Sequence, residues 1–104
     1  MKVGVFPLVN KLEENARKVF MPLKNEFNCI YDRSGSIGRR YARADEIGVP
    51  YCITIDFDGE KDNSVTLRNR DDAKQVRIKF SDLKEKLTKL INGEIKLEDA
   101  GKLV

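Results

Sequence analysis

Three groups of side chains along this chain could do chemistry. The segment "RSGSIGRRYARADEIGVP", residues 33–50, holds four arginines: Arg33, Arg39, Arg40 and Arg43. A guanidinium is a planar fork of donors that matches phosphate and carboxylate oxygens. The second group is acidic: Asp56, Asp58, Glu60 and Asp62. Such a run could ligate a metal, but it lacks the spaced ladder and closing glutamate of a calcium loop. It could instead be a plain polar loop, or accept hydrogen bonds from a base amino group such as N4 of cytosine. The third group is aromatic: Tyr31, Tyr51 and Phe57 fall near the ends of predicted strands. Phe57 is the modest candidate for stacking on a splayed base, the way single-stranded RNA is usually read; otherwise it joins Tyr51 in the core.

What is missing narrows the chemistry further. Histidine and tryptophan are absent. That removes triads, general bases and metal ligands built on imidazole. No C-x-x-C pair points to zinc. The glycines of "SGSIG" match neither G-x-G-x-x-G nor a P-loop with its lysine, so a nucleotide-cofactor loop is poorly supported. The arginines also admit a plainer reading, a solvated helix face with local pairs such as Arg43 with Glu46, each worth a few tenths of a kcal/mol.

Bulk properties set the frame. The chain has 104 residues, 40% hydrophobic and 36% charged, with net charge +3. That length suits one domain with one core. Twenty basic residues nearly cancel seventeen acidic ones, so nucleic-acid contact would have to come from local placement. Cys29 and Cys52 sit in strand-like runs and read as buried free thiols of a reducing, intracellular compartment, and the localisation expected is cytoplasmic. No run reads as a membrane span or a signal peptide.

The elements that must position these groups alternate. "KVGVFPLV" reads as a buried parallel strand. Asn10 with Glu13 has the pattern of a capping box. Leu12, Ala16, Val19, Phe20, Leu23 and Phe27 then recur at helical spacing, with Pro22 predicting a kink. "NCIYD" is a second strand, and Ser34 or Ser36 caps a second helix in which Ile37, Tyr41 and Ala44 share one face. Arg39 and Arg43 fall opposite, with Arg40 on the flank. "YCITIDF" is a third strand and "DGEKDNS" a polar loop. "VTLR" and "VRIKF" are short alternating strands. Ser81 caps a last helix with Leu83, Leu87, Leu90 and Ile91 inside. The order βαβαβββα predicts an α/β fold of three α/β/α layers around a mixed five-stranded sheet. The domain is expected over residues 1–93, with 94–104 as its C-terminal tail.

The run "SGSIGRRYARADEIGVPYCITIDFD", continued in "TLRNRDDAKQVRI" and preceded by "VGVFPLV", resembles the C-terminal anticodon-binding domain of glycyl-tRNA synthetase, of the archaeal and eukaryotic type. The resemblance covers nearly the whole chain. It implies a five-stranded sheet whose fourth strand is antiparallel, flanked by three helices, and it implies binding of the anticodon stem-loop of glycine tRNA. Catalysis in that family, with ATP and Mg, belongs to a separate class II domain that these residues do not contain, so this chain itself carries no catalytic residues, metal or cofactor. Carried onto this sequence, the resemblance places anticodon contacts at Arg33, Ser34 and Ile37, with Arg40 and Arg43 behind them. Further contacts fall at Phe57, Asp58 and Glu60, then at Arg68 and Arg70. It also implies a monomeric piece of a parent homodimer, docked on the parent's catalytic domain. Two other readings stand beside it: a non-catalytic accessory or protein-docking module on the same fold, and a small α/β enzyme using the carboxylates.

Overall fold

A computed structural model of the chain describes residues 2–104. Strand β1 (Lys2–Pro7) is followed by a short 3-10 turn (Asn10–Leu12) and helix α1 (Glu13–Leu23). Then come β2 (Asn28–Tyr31), α2 (Ile37–Glu46), β3 (Tyr51–Ile55), α3 (Phe57–Asp62), β4 (Ser64–Asn69) and β5 (Gln75–Lys79). Helix α4 (Phe80–Ile91), helix α5 (Leu97–Ala100) and strand β6 (Lys102–Leu103) end the chain. The strands lie in the order β2-β1-β3-β4-β5-β6. β1 pairs in parallel with both β2 and β3, while β4, β5 and β6 join antiparallel. The expected three layers and the antiparallel fourth strand are therefore present. The sheet has six strands instead of five, because the tail folds back: Val76 pairs with Leu103 and Arg77 with Lys102.

Alternation along each strand sorts the two faces. Val3, Val5, Ile53, Ile55, Val65, Leu67, Val76 and Ile78 point to the main core. There they meet Leu12, Ala16, Val19 and Leu23 from the first helical segment, Leu83, Leu87 and Leu90 from α4, and Leu97 and Ala100 from α5. The opposite face is thinner. Phe6 and Cys52 pack with Ala44 of α2 and with Val49, and Ile30, Ile37 and Tyr41 border them. Burial raises the Cys52 thiol to about 11, and desolvation also raises that of Cys29. Both cysteines are free.

Several local expectations give way to packing. The Asn10–Glu13 capping box does not form: Leu12 is the N-cap of α1 and makes no side-chain cap bond. Glu13 instead reaches Arg17 and Arg33. Pro22 sits inside α1 one residue before its end, where the cost of its missing N–H is confined to the last turn. Ser36, of the two candidates, caps α2 by accepting from the Arg39 amide at 3.4 Å. Ser81 is not a cap, since α4 begins at Phe80 with Lys79 before it. The polar loop expected after β3 is helix α3, capped by Asp56, which accepts from the Gly59 amide at 2.8 Å.

Candidate nucleic-acid interface

Parallel pairing brings the C-terminal ends of three strands level. Val5 is in register with Tyr31, and Pro7 with Ile55. The segments that leave these ends, residues 8–9, 32–36 and 56–60, therefore share one rim. Ligands bind beyond the carboxyl ends of strands in open α/β sheets. The rim carries Arg33, Ser34, Ile37, Phe57, Asp58 and Glu60, six of the expected contacts.

The turn after β2 is fixed by a residue that the sequence reading passed over. Asp32 accepts the Ser34 amide at 2.9 Å, an Asx turn. The same carboxylate accepts Arg43 Nε at 2.9 Å and a terminal Arg43 nitrogen at 2.7 Å. That nitrogen also donates to the Ser34 carbonyl at 2.7 Å. Burial works to raise the Asp32 carboxyl, but the Ser34 amide and Arg43 outweigh it and hold it low. The D-x-S spacing was the available signal. Arg43 therefore belongs to the rim although it stands two turns into α2.

Helix α1 supplies the other supports. Arg33 donates to Glu13 at 2.8 Å, and Glu13 also takes Arg17 at 3.0 Å. Asn15 donates to Glu60 at 2.6 Å. The first turn of α1 thus touches both the second and third segments of the rim. Between α1, α3 and the start of α4 lies a cavity of about 280 Å3, lined among others by Asn15, Val19, Glu60, Ser64 and Phe80. Its only carboxylate is Glu60, so it holds no pair of carboxylates. Among the described residues no group of histidines, cysteines and acids could hold a metal ion.

The rim pairs are open to competition. The Arg33 and Arg43 side chains are 57% and 46% exposed. Exposed ion pairs are worth about 0–1 kcal/mol, so a phosphate, which takes two donors of one guanidinium, can displace the carboxylates. Phe57 is 47% exposed with its ring toward solvent at the head of α3. That corrects the core placement weighed for it and leaves it available for stacking. Asp58 is exposed beside it.

Three expected contacts are placed elsewhere. Arg40 is not on a solvated flank: it is 3% exposed, and its guanidinium donates to the carbonyls of Pro7, Leu8 and Gly35. Arg40 stands one turn before Ala44, on the face of α2 that packs toward Phe6 and Cys52, and so lies inside. Arg68 lies opposite Cys52, toward the other end of the sheet. It stacks 4.5 Å from the Tyr41 ring centroid and pairs with Asp45 at 3.4 Å. The Tyr41 hydroxyl in turn contacts Thr54 Oγ1 at 2.5 Å. Arg70 sits at the opposite rim, where its amide donates to the Pro50 carbonyl. Of the acids, Asp56 is not free for a ligand. It pairs with Arg77 at 2.5 and 3.1 Å.

A mixed sheet in three layers thus sets basic, acidic and aromatic side chains on one strand-end rim. The family model described as "Anticodon binding domain" matches residues 2–90, and the chain belongs to that family. Proteins named "Glycine--tRNA ligase" are its relatives. That of Lachnoclostridium phytofermentans is 55% identical over 81% of this chain, and that of Clostridium acetobutylicum is 50% identical over 88%. The chain spans 18% and 20% of those proteins' lengths. These relatives are bacterial, so the archaeal and eukaryotic type suggested by the resemblance is not supported. The fold also matches two solved structures. One is the RNA binding domain of threonyl-tRNA synthetase from Cryptosporidium parvum Iowa II, at TM-score 0.77, 24% identity and 84% of this chain against 22% of that one. The other is histidyl-tRNA synthetase from Nostoc sp. PCC 7120, at TM-score 0.79, 23% identity and 86% against 22%.

Proposed function

We propose that this chain is the anticodon-binding domain of a glycine–tRNA ligase and that its strand-end rim grips the anticodon loop of glycine tRNA. The observation that carries the reading is an identity of 55% to a protein of that name, held over 81% of this chain. The rim supports it with matching chemistry. Glycine anticodons carry cytosine at the second and third positions. Asp58 and Glu60 can accept from cytosine N4, and a guanidinium can donate to O2 or N3. Phe57 offers a ring to an unstacked base. Arg33 and Arg43 are placed for the backbone phosphates, and Ser34 and Ile37 line the turn between them. Arg68 reaches the same side of the sheet as α2 and is a base contact only if it leaves Asp45.

Glycine activation would belong to a catalytic domain of the parent, with its ATP and Mg. The parent would be a cytoplasmic homodimer joined through that domain, and this piece alone a monomer. Within charging, the role of this domain is to hold the correct tRNA, which is a contribution to binding. The rival reading, an accessory module on the same fold, predicts no choice among tRNAs. Competition binding separates them. A glycine anticodon stem-loop should displace a labelled copy of itself far better than a version with both cytosines changed to uracil. Equal displacement would leave only the accessory reading.

A further inference from the structure

Arg40 is a buried cation with no carboxylate within salt-bridge distance among the described residues. It is 3% exposed, and its Nε has no hydrogen-bond partner. Burying a charge is costly unless geometry and hydrogen bonds compensate for it. Here the compensation is three backbone carbonyls. Two belong to Pro7 and Leu8, where the chain leaves β1, and the third to Gly35, in the turn that opens α2. Gly35 takes the left-handed φ of +69° that this turn requires. The amide of Leu8 donates to the Ile55 carbonyl at 2.9 Å, directly before the segment that carries Phe57. One guanidinium therefore joins the exits of β1 and β2, and through Leu8 the exit of β3.

We infer that Arg40 is a positioning residue of the RNA-facing rim: from beneath, it holds the three strand-end segments at one spacing. The inference rests on the anticodon reading above. Arginine suits the task because its terminal nitrogens diverge in a plane and reach separate carbonyls, whereas a lysine ammonium is one point on a flexible stem. The residue touches no RNA. Its effect is to keep Arg33, Ser34 and Phe57 in a fixed relation, so its loss should show in base choice and affinity and leave the count of phosphate contacts unchanged.

The test compares the unsubstituted chain with Arg40→Lys and Arg40→Met. Each is melted first and then titrated, at a temperature where all are folded, with the glycine anticodon stem-loop and its two-uracil version over a salt series. Affinity for the glycine stem-loop should fall about 10-fold or more, the scale known for outer contacts that orient a site. The preference for cytosine should shrink, the salt slope should hold, and lysine should recover part of what methionine loses. Folded variants with native affinity and preference overturn the inference. So does a salt slope reduced by about 0.7–0.9, which marks a direct phosphate contact. So do variants that do not fold, since Arg40 would then be a requirement of the core. Lack of cytosine preference in the unsubstituted chain refutes the anticodon reading instead. The tie is then judged by hydrogen exchange at the Leu8 amide, which must speed up in Arg40→Lys; unchanged exchange overturns it.

Discussion

At the residue scale, the acids and arginines divide by how far their pairs are buried. Asp56 and Arg77 are 19% and 21% exposed, and their twin hydrogen bonds carry stability. Burial works to raise the Asp56 carboxyl, but Arg77 and the Gly59 amide outweigh it and hold the group below the usual carboxylate range. A carboxyl lowered on folding stabilises the fold above its unfolded pKa of about 3.9, and that stability is lost as the pH falls through the lower folded value. Asp56→Asn should therefore cost about 1.5–3 kcal/mol at pH 7. In denaturant titrations the difference from the parent should shrink below about pH 4; a gap independent of pH would deny the ion pair its role. Arg68 lies toward the other end of the sheet, held by Tyr41 and Asp45. In the full-length ligase, Arg68→Ala should therefore leave kcat/KM for tRNA nearly unchanged, and a loss of about 1–3 kcal/mol would restore Arg68 to the base contacts. Of the five expected arginines only Arg33 and Arg43 stand on the rim surface; Arg68 and Arg70 lie toward the other end of the sheet. That Arg40 is interior was not legible in the sequence, because a charge on a helical wheel reads as outward until three carbonyls, distant in sequence, turn out to converge on it.

At the element scale, long amphipathic segments were readable and short ones were not. α4 announces itself by Leu83, Leu87 and Leu90, all buried. α3 has six residues, only Gly59 of them buried, and no apolar stripe to betray it. Its cue is the cap: Asp56 three residues before a glycine that must be a glycine. A Cβ on Gly59 would collide with the Ser64 carbonyl oxygen. That oxygen is backbone and cannot step aside, so Gly59→Ala should destabilise by about 1–3 kcal/mol, the scale of forced overpacking. Cooperative thermal melts would measure it, and a neutral result would mean that α3 moves freely from β4. Strand β6 escaped the reading for a similar reason. Two residues carry no period, and only the docking of Leu97 and Ala100 against the core brings Leu103 beside Val76.

For the whole molecule, the tail is part of the domain and not an appendage. Leu97 and Ala100 are each 5% exposed. Removing residues 94–104 uncovers one face of β5 and should cost about 2–4 kcal/mol, from the burial of one leucine and its neighbours. The shortened chain should keep its fold and lose denaturant midpoint; full stability on truncation would show the tail to be dispensable. The fold class was legible in the sequence because βαβ alternation is written locally, and the family was legible through its resemblance. The spacing of the rim was not, since it depends on register across β1, β2 and β3 and on struts from α1 and Arg40.

The central claim is that RNA meets this domain at the carboxyl ends of its parallel strands. Amide chemical-shift mapping of the chain, titrated with a glycine anticodon stem-loop, tests it most directly. The account predicts the largest shifts at Arg33, Ser34, Ile37, Phe57, Asp58 and Glu60, with residues 47–50 and 70–74 at the opposite rim nearly silent. Shifts concentrated at that opposite rim, or spread evenly over the surface, would contradict it.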